Sequence, residues 1–117
     1  FDIFDENFSI YEAALDILEF REDFASIELR SAMISIFKEC VKEIKKKPTI
    51  TSCICAIGFS NKENTYNIGL MYNGEFYNFI EQSNNNELKN LISIHTSDVR
   101  HREYDEMNCT NIIRITF

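Results

Sequence analysis

Proline and glycine are scarce in this chain of 117 residues, which has one proline and three glycines. That composition leaves no room for a flexible linker, so we expect a single domain over residues 1–117. No apolar run is long enough to span a bilayer, and no signal peptide is recognisable. We therefore expect a protein that does not act at a membrane.

Several motifs that carry chemistry are also missing. The sequence has no glycine-rich loop that would hold a phosphate and no G-x-S-x-G nucleophile motif. Cys53 and Cys55 have no second pair of metal ligands at a recognised spacing, and they do not form a C-x-x-C redox motif. These absences favour a protein that is not an enzyme and that uses no metal ion or cofactor.

The four cysteines leave two alternatives for their redox state. Their even number permits disulfide bonds. However, Cys40 lies on the apolar face of a predicted helix, and Cys53 and Cys55 point to the same face of a predicted strand. Free buried thiols are typical of reducing compartments, so we favour reduced cysteines in a cytoplasmic protein.

What the chain does have is a strongly uneven charge. Residues 1–30 hold nine acidic and two basic residues, whereas residues 31–117 hold ten of each, so the net charge of −7 lies entirely in the first part. Such asymmetry gives information about partners rather than about the fold. The acidic total argues against direct binding of nucleic acid, because neutralising phosphates requires lysine and arginine.

Two amphipathic helices are predicted in the first half of the chain. The first, over residues 9–22, starts with an S-x-x-E capping box at Ser9 and Glu12. The second, over residues 26–47, ends in three lysines followed by Pro48. Each helix has an apolar arc that we expect to face the core. The arcs are Ile10, Tyr11, Ala14, Leu15, Ile17 and Leu18 in the first helix, and Leu29, Met33, Ile36, Phe37, Cys40 and Ile44 in the second.

The middle of the chain predicts three antiparallel strands. Residues 49–59 are rich in β-branched side chains, and residues 66–72 alternate between apolar and polar side chains after a polar turn at 60–64. Asn73-Gly74 is a strong hairpin signal because both central residues of such a turn need a positive φ. We therefore expect a returning strand at residues 75–81.

The last third predicts one helix and one strand. Asn86 is suited to cap a short helix near residues 87–94. Residues 94–109 are densely charged without a clear period, which indicates an exposed loop, and residues 111–117 alternate as a strand. The expected fold is α+β, with N-terminal helices on one face of an antiparallel sheet of about four strands, in the order ααβββαβ.

Acidic residues on the first helix are the leading candidate for function. The stripe consists of Glu12, Asp16, Glu19 and Asp23, with Glu22 at its edge, and it lies opposite the apolar arc. Like charges at this spacing each cost a helix a few tenths of a kcal/mol, and only Arg21 and Arg30 are near in sequence. The stripe is either a solvated face that keeps the protein soluble or a surface for a basic partner, whose association would be fast and salt-sensitive.

The aromatic side chains of the predicted hairpin are a second candidate. Tyr77 and Phe79, facing Met71, are expected in a partly exposed row, where they would be apolar anchors for a partner. For the hairpin aromatics as a set, packing in the core is favoured over contact with a partner.

A third candidate is the charged segment that contains both histidines. His95 and His101, with Asp98 and Cys109, supply the residue types for a general acid–base pair or a metal site. The spacing matches no metal motif, so the favoured interpretation is an exposed loop without chemistry.

One stretch of the chain is similar to a known family of proteins. It consists of the helical run from Ser35 to Lys45, the strand segment from Thr51 to Phe59 and the strand that follows. In this stretch, in size and in acidity, the chain resembles bacterial immunity proteins of toxin–immunity systems, such as those of contact-dependent growth inhibition. The resemblance covers about half of the chain and carries over no functional residue. It implies a cytoplasmic protein that binds one cognate toxin and blocks its active site or an adjacent surface.

We therefore expect a non-enzymatic inhibitor that neutralises a basic toxin, in particular a nuclease. A nuclease presents a cationic groove to its substrate, and a surface rich in carboxylates can occupy that groove by mimicking phosphates. Two alternatives remain open. One is a phage- or virus-encoded inhibitor of a host enzyme that binds nucleic acid, and the other is a small enzyme that uses His95 and His101.

Overall fold

The computed structural model describes residues 1–21, 25–103, 105 and 109–117. Within these ranges the chain forms four helices and four strands, and the predicted α+β class is confirmed. The elements are α1 (Ile10–Glu19), α2 (Ile27–Lys46), β1 (Cys53–Ser60), β2 (Thr65–Tyr72), α3 (Phe79–Gln82), α4 (Asn86–His95), β3 (Asp98–Glu103) and β4 (Asn111–Thr116). Their order, ααββααββ, is close to the predicted one and differs from it between β2 and β4.

The four strands pair antiparallel in the spatial order β1-β2-β4-β3. Directly paired residues point to the same face of a sheet, so burial separates the two faces clearly. The face that packs against the helices carries the buried side chains Cys53, Cys55, Tyr66, Ile68, Leu70, Tyr72, Ile113 and Ile115. The other face is open, and Ala56, Arg100, Arg102 and Arg114 are exposed on it.

Helix α2 forms the helical side of the core along most of its length. It begins where the Ser26 hydroxyl accepts the backbone N–H of Leu29 at 3.1 Å, and it ends at Lys46, two residues before Pro48. The predicted stripe is confirmed by five side chains that are at most 1% exposed: Met33, Ile36, Phe37, Cys40 and Ile44. Leu29 is only half-buried. Each large apolar side chain buried in this way contributes about 1.5–3 kcal/mol of transfer free energy.

The predicted strand at residues 75–81 is wrong, because the chain leaves the sheet after Tyr72 and forms α3 instead. Gly74 has a positive φ of 94°, but Asn73 does not, so the turn is not the expected hairpin turn. The Asn73 side chain instead accepts the backbone N–H groups of Thr51 and Ser52 at 2.9 and 3.0 Å. Asn73 therefore holds the segment before β1 in place and does not form the central part of a hairpin turn.

The predicted loop at residues 94–109 contains the strand β3, which pairs with β4 at the edge of the sheet. Only Val99 and His101 are half-buried in β3, and the other four residues are exposed, so no apolar alternation reveals the strand. The helix α4 lies close to its predicted position. Its cap is Asn85 rather than Asn86, since the Asn85 side chain accepts the backbone N–H of Leu88 at 2.9 Å.

Candidate functional site

Three residues of the predicted acidic stripe lie on α1 and are exposed: Glu12, Asp16 and Glu19. In the described part of the chain, none of their carboxylates makes a hydrogen bond or an ion pair. Glu22 and Asp23, which were predicted to complete the stripe, lie outside the described residues. The stripe therefore presents three unneutralised charges to solvent on one short helix.

The start of α1 shows that Glu12 is not used as a cap. The Ser9 hydroxyl accepts the backbone N–H of Glu12 at 3.3 Å, which is one half of the predicted capping box. The reciprocal bond, from the Ser9 N–H to the Glu12 carboxylate, is absent although both residues are described. The Glu12 carboxylate is consequently available to a partner.

Helix α1 buries a narrower stripe than its sequence predicts. Ala13 and Ile17 are at most 1% exposed, whereas Tyr11 is 77% and Leu15 is 55% exposed, so the prediction that these two face the core is wrong. Successive residues of a helix are rotated by about 100°, so Tyr11 and Leu15 lie on the side opposite the buried Ala13 and Ile17. The three carboxylates lie on one flank of the helix, between the exposed and the buried side. We call Tyr11, Glu12, Leu15, Asp16 and Glu19 together the α1 surface.

The N-terminal segment brings two further carboxylates to the α1 surface. The N–H of Ile3 donates to the Cys53 carbonyl at 3.0 Å, and the N–H of Cys55 donates to the Phe1 carbonyl at 2.8 Å, so the segment runs along the edge of β1. As a result, Asp2 and Asp5 line one shallow hollow of about 300 Å³ together with Glu12 and Asp16. These two aspartates contribute to the acidic charge of the N-terminal part, but their position could not be predicted, because no predicted helix or strand contains them.

The two aromatic candidates lie away from the α1 surface. Phe79 is fully buried in α3, with its ring centroid 5.6 Å from that of Tyr72, so the core alternative holds for it and it offers no surface to a partner. Tyr77 is half-buried and lies under the Lys47 ammonium, 4.3 Å from the ring centroid. Tyr77 borders a different groove, between α2 and the start of α4.

That groove, of about 570 Å³, is polar, and two ion pairs along α2, Glu39–Lys42 and Glu43–Lys46, lie in its lining. Glu39 accepts hydrogen bonds from Lys42 at 3.2 Å and from Asn85 at 2.9 Å, and Glu43 accepts one from Lys46 at 3.2 Å. The hydrogen bond from Asn85 is the main cause that lowers the pKa of Glu39, against the opposing effect of burial. A carboxylate that is held ionised and paired in this way is poorly suited to general acid–base catalysis.

The structure does not combine the two histidines into one site. His95 is exposed at the end of α4, whereas His101 lies in β3, where its Nε2 is 2.8 Å from Oδ1 of Asn111 and its ring stacks on Phe76 at 4.2 Å. In the described residues, no hydrogen bond, ion pair or ring contact joins the two imidazoles, and none joins either of them to Asp98. His101 therefore has a structural role in this arrangement.

The four cysteines are buried and form no disulfide bond. Burial raises the pKa of Cys55 to about 12 and raises those of Cys40, Cys53 and Cys109 as well. Such thiols stay protonated near neutral pH and are weak nucleophiles and metal ligands. No cluster of three or more His, Cys, Asp or Glu side chains in the described ranges is arranged to hold a metal ion.

No protein-family model matches the chain, and the searches of curated proteins and of solved structures give no match. None of the helices formed by the described residues is long and apolar enough to cross a membrane.

Proposed function

We propose that this protein is a non-enzymatic inhibitor of the immunity type, which binds and neutralises a basic protein, in particular a toxin nuclease, through the α1 surface. The observation that carries the proposal is that exposed Tyr11 and Leu15 lie beside three carboxylates that have no partner within the described chain. This surface combines the two kinds of side chain that protein–protein recognition needs.

The apolar part of the α1 surface supports a protein partner. Exposed apolar side chains with a polar border are typical of interaction sites, and tyrosine is enriched among the residues that contribute most to binding. Tyr11 and Leu15 are four residues apart, so they form one ridge along the helix. A complementary pocket on a partner would remove both side chains from water.

The carboxylates of the α1 surface support a basic partner. Glu12, Asp16 and Glu19 repel one another at spacings of three and four residues, and cationic side chains would relieve that repulsion. Asp2 and Asp5 extend the negative surface beyond the helix. Complementary charge of this kind mainly accelerates association and makes it sensitive to salt.

A nuclease fits these requirements because its substrate groove is cationic. Carboxylates at the surface of an inhibitor take the positions of phosphates, and inhibition by occupancy needs no catalytic group on the inhibitor. We place the protein in the cytoplasm, where its four buried thiols would remain reduced. A host enzyme that binds nucleic acid, targeted by a phage-encoded inhibitor, would use the same surface.

The experiment that tests the charged part is affinity capture from the native source with three versions of the chain as bait. The wild type, the double variant Asp16→Lys/Glu19→Lys and the control Glu63→Lys/Glu81→Lys are compared. The control makes the same change in net charge at exposed residues outside the α1 surface. We expect the wild type and the control to retain one basic protein that the α1 variant loses.

The captured protein then identifies the kind of inhibitor. We expect it to cleave DNA or RNA, and the wild-type chain to suppress that cleavage. A toxin domain supports the immunity function, whereas a host enzyme supports the phage-inhibitor alternative. Equal capture of the basic protein by the α1 variant would refute a role of the acidic surface.

The apolar part is tested separately with Leu15→Ser. Its control, Ile94→Ser, removes a side chain that is 66% exposed on α4. We expect Leu15→Ser to raise the dissociation rate of the captured protein by about tenfold with little change in salt dependence. The control should leave the rate unchanged, and equal effects of the two variants would contradict the proposal.

A further inference from the structure

Three arginines meet on the open face of the sheet, although the chain as a whole is acidic. Arg100 of β3 is directly opposite Arg114 of β4, and Arg102 is directly opposite Ile112. Opposed residues share a face, as do residues two apart on one strand, so all three guanidinium groups lie on the side away from the helices. The α1 surface is built on the helical layer, so the two charged regions are distinct.

The described residues neutralise these arginines only in part. Nε of Arg100 donates to Oδ2 of Asp98 at 2.8 Å. In the described residues, the side chains of Arg102 and Arg114 make no hydrogen bond or ion pair. Like charges directly opposite each other destabilise a sheet. An anion bound between them would remove this repulsion.

The side chains also enclose a space that fits such an anion. A hollow of about 170 Å³ is lined by Arg100, Arg102, Ile112 and Arg114. Each guanidinium offers a planar pair of N–H donors that matches the oxygens of a phosphate. With Asp98 included, the cluster has two net positive charges, which balance a phosphate dianion.

We propose that this hollow is a binding site for the phosphate group of a phosphorylated ligand. Single-stranded nucleic acid is a poorer match, because proteins bind single strands by stacking bases on aromatic side chains. The described strands place no aromatic residue on the open face, where Gly69 is directly opposite Arg114 and Ile112 is directly opposite Arg102. The site recognises the phosphate itself rather than a base.

The test is a calorimetric titration of the full chain with inorganic phosphate and, separately, with glycerol phosphate. The two arms distinguish a free phosphate ligand from a phosphate monoester. Arg114→Gln removes one donor group, and Lys62→Gln is the control because it removes one positive charge from the exposed turn after β1. We expect saturable binding that Arg114→Gln weakens about tenfold and Lys62→Gln leaves within about twofold.

The pH dependence gives a second measurement. The second pKa of a phosphate monoester is about 6, whereas arginine stays charged, so affinity should fall as the pH is lowered from 7.5 to 5. Arg114→Gln should fold like the wild type, since it removes a repulsive pair, and circular dichroism checks this. Absence of saturable binding would overturn the proposal, as would equal weakening by Lys62→Gln. Binding of a polyglutamate peptide without binding of either phosphate would overturn it in favour of an acidic protein partner.

Discussion

Oδ1 of Asn111 lies 2.8 Å from Nε2 of His101, and it also accepts the backbone N–H of Tyr77 at 3.1 Å. The Asn111 side-chain nitrogen donates to the carbonyl of Glu75 at 3.0 Å, and the residue is fully buried. Because the amide oxygen Oδ1 can only accept, Nε2 of His101 donates this hydrogen bond. One asparagine in β4 thus holds both the edge strand β3 and the segment between β2 and α3.

We expect Asn111→Ala to destabilise the protein by about 2–3 kcal/mol, since it removes three hydrogen bonds made by a fully buried side chain, to His101, to the Tyr77 N–H and to the Glu75 carbonyl. Urea unfolding followed by circular dichroism measures the change. Asn90→Ala is the control because Asn90 is exposed on α4, and it should change stability by at most about 0.5 kcal/mol. Similar losses in the two variants would show that the Asn111 contacts do not stabilise the fold.

The three glycines supply a matched pair of substitutions. Gly74 has a φ of +94°, and a Cβ there would lie 2.8 Å from the Thr49 carbonyl oxygen. Gly74→Ala should therefore cost more than about 1 kcal/mol and lower the melting temperature. At Gly69 a Cβ would come no closer than 3.9 Å to the Ala56 carbonyl oxygen. Gly69→Ala should leave the melting temperature unchanged or raise it, and the reverse order of the two variants would contradict this account of the turn.

The buried thiols predict a loss of stability at alkaline pH. Burial raises the pKa of Cys55 to about 12, above its ordinary value of 9.0, so the folded state keeps a proton that the unfolded state releases. The protonated Cys55 thiol therefore makes its full contribution to the free energy of unfolding below pH 9, and this contribution decreases as the pH rises from 9 towards 12. The loss is at most about 1.4 kcal/mol per pH unit for each such thiol.

Urea unfolding between pH 8 and pH 10 measures this slope. Cys55→Ala removes one titrating group, so its free energy of unfolding should decrease less steeply above pH 9 than that of the wild type. Parallel curves for the two proteins would mean that Cys55 is not protected from ionisation. At pH 8, iodoacetamide should modify the thiols of the urea-unfolded chain but not those of the folded chain.

Local signals explain where the sequence-based fold prediction was correct. Helix α2 combines a repeated apolar stripe with a serine cap at Ser26 and a stop at Pro48, and all three signals act within a few residues along the chain. The strand β2 alternates between buried and half-buried residues over its whole length, so its pattern is equally local. Helix α2 and strand β2 form at the predicted positions because packing against the neighbouring elements stabilises the conformation that their local sequence favours.

The incorrect predictions arise where a distant residue competes with a local signal. Asn73-Gly74 favours a hairpin, but Asn73 bonds to Thr51 and Ser52, and Asn111 holds the following segment. The edge strand β3 has almost no apolar pattern because it has one neighbouring strand and little burial. Its existence depends on pairing with β4, which no short stretch of sequence encodes.

The sequence by itself determined the concentration of acidic residues near the N-terminus and the grouping of three of them on one helix, since helical periodicity decides which residues share a face. Tertiary structure alone decided that Tyr11 and Leu15 are exposed beside them and that Asp2 and Asp5 join them. It also brought Arg100, Arg102 and Arg114 together. Periodicity defines the faces of an element, but which face is covered depends on packing and strand register, and these are set by residues far apart in the chain.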